Sequence, residues 1–167
     1  FRLGEYMEDP DPATIRVMNT VFGGGVTSKL FMNVREKLGL CYFASSGADI
    51  MKGILFVISG IDPENYDMAL KEIFRQLDAL REGDITQEEL SSAKAAIISD
   101  LLSVSDSAGQ LESFWFSQNL MGLDYGPDEF AALIEEVTAE QVSAAARSAA
   151  CDMVYFMTAE EEANAED

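Results

Sequence analysis

The apolar positions of this 167-residue chain change period several times, and each change marks an expected element. Phe1 to Tyr6 reads as the end of a strand, closed by Glu8-Asp9-Pro10. Asp11 stands as an N-cap before Pro12, whose missing N–H is harmless in a first turn. Ile15, Met18 and Phe22 follow at helical spacing, with Val17 and Val21 widening the stripe. Gly23-Gly24-Gly25 is expected to end this helix as a tight connection that uses positive φ. Thr27 or Ser28 caps the next helix. That helix is expected to bury Leu30, Phe31, Val34 and Leu38 and to leave Lys29, Arg35, Glu36 and Lys37 outside, with Gly39 as its left-handed cap. Leu40 to Ser46 and Gly53 to Ile61 read as an antiparallel hairpin around a polar turn through Asp49 and Lys52.

The second half is helical. Asp62-Pro63 repeats the cap-and-proline start, and Tyr66, Leu70, Ile73, Phe74, Leu77 and Leu80 form an apolar stripe that stops near Gly83. Thr86 with Glu89 spells a capping box before Leu90, Ala93, Ile97 and Leu101, and the polar stretch Ser103 to Ser107 interrupts. Helices are predicted from Ala108 to Met121, after Pro127, and from Thr138 with Gln141. Asp152 to Thr158 alternates as a last strand, and Glu160 to Asp167 is an acidic tail. The order β-α-α-β-β-α-α-α-α-α-β predicts an α+β fold, with helices on one face of a largely antiparallel sheet. Residues 1–159 are expected to form one domain, with 160–167 as the tail.

Charge narrows the partners. Eleven Lys+Arg against 30 Asp+Glu give −19, which repels nucleic acid and anionic membrane and suits a basic peptide, although such a surface also serves solubility alone. Cys41 and Cys151 sit in apolar surroundings, so two buried thiols in a reducing, cytoplasmic compartment are expected. No apolar run reaches the ~18 residues of a membrane span.

The chain has no histidine. That removes Ser-His-Asp and Cys-His nucleophile pairs and every histidine-dependent zinc site from this chain acting alone. Asp62, Glu64 and Asp67 lack the spacing of a calcium loop, so no metal site is expected here. The glycine run follows a helix and carries neither a dinucleotide fingerprint nor a P-loop. Arg35 and Tyr42 remain, on the two sides of the Gly39 turn. Each has an ordinary role, as a complement to the helix dipole and as strand packing. Together they offer a guanidinium fork and a phenol as donors to a peptide carbonyl, including one becoming an oxyanion.

Gly23-Gly24-Gly25, Ser28-Lys29-Leu30-Phe31 and Arg35-Glu36-Lys37-Leu38-Gly39-Leu40-Cys41-Tyr42 resemble the C-terminal, substrate-binding half of the M16 (pitrilysin-type) zinc metallopeptidases, the family of insulysin and mitochondrial processing peptidase. A looser likeness runs through Gly53 to Gly60, Asp62-Pro63-Glu64, Ile85 to Leu90 and Val137 to Val142. The resemblance implies a two-halved clamshell whose N-terminal half carries zinc and a general-base Glu. The C-terminal half closes over the peptide, and its Arg and Tyr, here Arg35 and Tyr42, contact substrate near the scissile bond. It further implies a bacterial member, a domain truncated on its N-terminal side, and no activity or cofactor in this chain alone. Zinc is then expected in the missing or partner half of an active parent, and a dimer with such a half is the expected assembly. Because the family includes non-catalytic members that pair with active ones, an inactive pseudo-peptidase or assembly subunit is the alternative.

Overall fold

The computed structural model describes residues 1–4 and 11–158. Within them, β1 (Arg2–Leu3), β2 (Phe43–Asp49), β3 (Ile54–Gly60) and β4 (Ala149–Ala150) form a four-stranded sheet in the order β2-β3-β1-β4, antiparallel throughout. The hairpin register runs from Phe43↔Gly60 to Asp49↔Ile54. Its turn is closed by the Asp49 side chain, which accepts from the Lys52 amide, and by Gly53 in the left-handed region at φ 61°.

Strand alternation gives the sheet two unlike faces. Leu3, Ala44, Leu55 and Ala149 point into the core, whereas Phe43, Phe56 and Ile58 are exposed on the other side. The Phe43 and Phe56 rings lie across their cross-strand partners Gly60 and Gly47, where any added Cβ would collide with them. Glycine opposite an aromatic lets each ring cover bare backbone.

Helices α1 (Pro12–Asn19), α2 (Tyr66–Glu82), α3 (Gln87–Val104), α4 (Ala108–Leu120), α5 (Pro127–Glu136) and α6 (Ala139–Ser148) supply the other layer. Their starts follow the sequence logic. Asp11 accepts from the Thr14 amide at 3.0 Å, and Thr86 with Glu89 and Thr138 with Gln141 close reciprocal capping boxes. Leu90, Ala93, Ile97 and Leu101 form the buried stripe of α3, and Ile73, Leu77 and Leu80 that of α2. With Ile15, Val17, Met18 and Phe22 they make one continuous core against the sheet. The α+β architecture with helices on one sheet face is therefore the observed one. Among the described residues no helix is long and apolar enough to cross a membrane.

Several expectations are corrected. The last strand is Ala149–Ala150, and 152–158 is not a strand. The β1–β4 ladder covers Arg2↔Ala150 and Leu3↔Ala149, and the following segment is held by side-chain packing instead, with the Phe156 ring 4.3 Å from that of Tyr66 in α2. None of Gly23, Gly24 and Gly25 has positive φ, and Gly25 is extended at −154°. Lys29 is buried and Leu38 is 48% exposed, the reverse of the expected face. Cys151 is exposed, and Cys41 is only partly covered. The expected strand end at Tyr6, its acidic closure and the acidic tail fall outside the described residues.

Candidate functional site

Helix α1 does not stop at the glycines but continues as a π-helical turn over Thr20–Gly24. The reason for glycine at position 23 is proximity. A Cβ there would sit 2.7 Å from the Ser46 backbone nitrogen and from the Leu30 side chain, so the turn can press against β2 only without one. Ser46 reinforces the approach by donating its hydroxyl to Asn19 Oδ1 at 2.8 Å. After Gly25 the chain turns through Ser28, whose Oγ accepts from the Phe31 amide, and enters a second π-helix, Leu30–Lys37.

Four side chains fix that π-helix. Lys29 Nζ, buried, pairs with Glu89 at 2.9 Å. Asn33 donates to Gln76 Oε1 at 3.0 Å, and Gln76 donates in turn to Glu72 Oε1 at 2.6 Å. Leu30 and Val34 anchor the inner face. Lys29 and Leu38 flank this segment as its N- and C-cap residues; the ion pair with Glu89 holds Lys29 inward, and Leu38 is exposed where the helix ends.

Arg35 is thereby held at the surface. Its guanidinium carbon stands 4.8 Å from the centre of the Phe31 ring, a cation–π contact, and Nε is 3.6 Å from Glu36. It lines a cavity of about 240 Å³ with the glycine run, Val26, Phe31 and Phe43 to Ser45. Gly39, at φ 61°, donates its amide to the Arg35 carbonyl and turns the chain toward β2.

On the far side of that turn the Tyr42 amide donates to the Gly60 carbonyl at 2.7 Å, and its hydroxyl donates to Asp62 Oδ1 at 2.9 Å. The hydrogen bond to Asp62 and the charge of Asp62 both raise the Tyr42 pKa, so the phenol keeps its proton. Tyr42 is 69% exposed. Burial raises the Cys41 pKa, against a Ser59 hydrogen bond and the Arg35 charge, which lower it.

The two candidates therefore occupy opposite ends of one turn without sharing a pocket. Arg35 lines the glycine cavity, Tyr42 does not, and no hydrogen bond joins them. Two partners escaped the sequence reading. Asp62 looked like a helix cap in Asp-Pro, yet its side chain caps nothing and holds Tyr42 instead. Phe31 looked like core and serves as the plate under Arg35. Its i, i+4 spacing from Arg35 was the available signal.

The chain's donors do not fit a zinc site. It has no histidine, and among the described residues no three His, Cys, Asp or Glu side chains converge. What the site offers is hydrogen bonding and positive charge from Arg35, with a phenol whose oxygen is free to accept while its O–H is donated to Asp62.

The family model described as the peptidase M16 inactive domain matches residues 1–97, more than half of the chain, including this whole site. The chain belongs to the M16 peptidase family. This M16 domain is 36% identical over 156 residues to the probable inactive metalloprotease YmfF of Bacillus subtilis, covering 93% of the chain and 37% of the relative. It is 33% identical over 136 residues to an uncharacterized zinc protease of Streptomyces coelicolor, covering 78% of the chain and 29% of the relative. A conserved protein from Enterococcus faecalis superposes with a TM-score of 0.81 at 33% identity, covering 88% of this chain and 35% of that one. The M16 domain thus spans about a third of the length of its relatives.

Proposed function

We propose that this domain is the peptide-binding, non-catalytic half of an M16-type zinc-dependent metallopeptidase, working with an N-terminal zinc-binding half or a catalytic partner subunit in the cytoplasm. Arg35 binds and polarises a substrate carbonyl near the scissile bond, and Tyr42 positions the neighbouring backbone. The observation that carries this reading is the mounting of Arg35. A surface arginine ordinarily samples many rotamers, whereas here Phe31 supports one face and the Lys29, Asn33 and Val34 anchors fix the backbone beneath it. The residues 1–159 act as one unit in this role.

Tyr42 adds a condition to the chemistry. Its single O–H is donated to Asp62, so in this arrangement the phenol accepts from a peptide N–H; donation to a carbonyl requires the O–H to rotate away. The test is peptide turnover by the full-length protein or its heterodimer. Arg35→Ala is expected to lower kcat by about 100-fold or more if it stabilises an oxyanion, and a loss below about threefold overturns the role.

A second reading has its own support in the relative named a probable inactive metalloprotease, at 36% identity. In that case the domain binds peptide, or only a catalytic subunit, and no hydrolysis follows. Peptide binding measured separately from turnover tells the two apart, since the second reading retains an Arg35-dependent affinity, or partner binding alone, without product.

A further inference from the structure

On the helical layer, away from the Arg35 turn, a cavity of about 540 Å³ opens between α1, α3, α4 and α5. Arg16 of α1 lines it, half-buried, with its guanidinium carbon 5.9 Å from the centre of the Phe130 ring. Among the described residues no carboxylate lies within ion-pair distance of this guanidinium, and it donates no hydrogen bond. Asp100 of α3 lines the same cavity, beyond ion-pair distance but near enough for its charge to act on Arg16. Burial without a partner is costly for a charged group, and two opposite charges facing one cavity without touching leave room for something between them.

The remaining walls define what that something is. Phe114, Met121 and Phe130 supply an apolar compartment, and Ser113 presents a hydroxyl that makes no hydrogen bond among the described residues. A fork that binds carboxylate, a carboxylate that binds ammonium, and an apolar cleft form the complement of one chemical class. We propose that this cavity binds a zwitterionic apolar amino acid or dipeptide. Its carboxylate is bound by Arg16, its ammonium by Asp100, and its side chain lies among Phe114, Met121 and Phe130. The site is separate from the Arg35 turn and does not depend on the reading of that turn as a peptide contact.

Calorimetric titration of the full-length protein with phenylalanine, phenylalaninamide and N-acetylphenylalanine tests this. Phenylalanine is expected to bind at least about tenfold more tightly than either capped form. Arg16→Met is expected to erase the preference over phenylalaninamide, and Asp100→Asn the preference over N-acetylphenylalanine. Asp100 is exposed, so its variant tests the site even if Arg16→Met fails to fold. Arg35→Ala is expected to leave phenylalanine binding unchanged. The proposal is overturned by equal affinities for the three compounds, by no binding at about 10 mM, by unchanged preferences in Asp100→Asn, or by loss of phenylalanine binding in Arg35→Ala.

Discussion

The Tyr42 hydroxyl donates to the Asp62 carboxylate at 2.9 Å across the open end of the hairpin. This contact raises the phenol pKa, so its contribution to stability is present below the ordinary phenol range, near pH ~10, and is lost as pH rises through the higher folded value. Asp62→Asn removes the charge and weakens the acceptor. A spectrophotometric titration, with Tyr42→Phe identifying the signal among the five tyrosines, is expected to show Tyr42 ionising at lower pH in Asp62→Asn than in the wild type. An unchanged titration would show that Asp62 does not hold the phenol.

Gly23 and Gly25 differ in what surrounds them. Gly23→Ala forces a Cβ against Ser46 backbone and is expected to cost about 1–3 kcal/mol in denaturant unfolding, the usual cost of overpacking. Gly25 has extended φ and nothing near its Cβ position, so Gly25→Ala is expected to stay within about 0.5 kcal/mol. Equal effects at the two positions would refute proximity as the reason for glycine.

Lys29 and Glu89 are an asymmetric pair, with side chains 5% and 20% exposed. Glu89→Gln leaves a buried ammonium without its counter-charge and is expected to cost on the order of 3 kcal/mol. Lys29→Met leaves a carboxylate that still accepts from the Thr86 amide and reaches solvent, and about 1 kcal/mol is expected. Thermal or urea unfolding of both variants gives the comparison, and a larger loss for Lys29→Met contradicts it.

Glu72 is buried, and hydrogen bonds from Arg75 hold its pKa below the ordinary carboxylate value, against the opposing effect of burial. Since its folded pKa is depressed, its stabilising contribution is present above the ordinary glutamate range and lost as pH falls through the folded value. Glu72→Gln is expected to flatten the acid limb of the stability curve, measured by urea unfolding between about pH 3 and 6. An unaltered acid limb would assign the acid sensitivity elsewhere.

Much of this molecule is legible in its sequence because its signals are local. Asp11, Thr86 and Thr138 cap helices in the structure as their side-chain chemistry requires, and Gly39 is left-handed as expected, whereas Gly53, expected to open a strand, is instead the left-handed end of the hairpin turn. The Leu90 to Leu101 stripe is buried residue for residue. What escaped depends on non-local geometry. Gly23 is read as a turn residue until Ser46 is seen behind it, Asp62 as a cap until Tyr42 reaches it, and the burial of Glu72 and Gln76 follows from Asn33 across the helix interface. The strand expected at 152–158 has an alternating pattern, but Phe156 packs on Tyr66 of α2 and the segment joins no ladder among the described residues. Leu38 is exposed because the helix ends at Lys37 and Leu38 is its cap, a boundary that the apolar spacing does not mark.

The π-helix Leu30–Lys37 has a consequence for chain length. Its winding accommodates residues that an α-helix of the same span would not, so the aim of Arg35 depends on the number of residues as well as on their identity. Deleting one residue between Ser28 and Phe31 would favour a return to α winding, and each residue of phase is about 100° of rotation around the axis. Every other side chain on this segment could be kept and Arg35 would still face elsewhere. The segment is therefore less tolerant of a one-residue gap than of many substitutions.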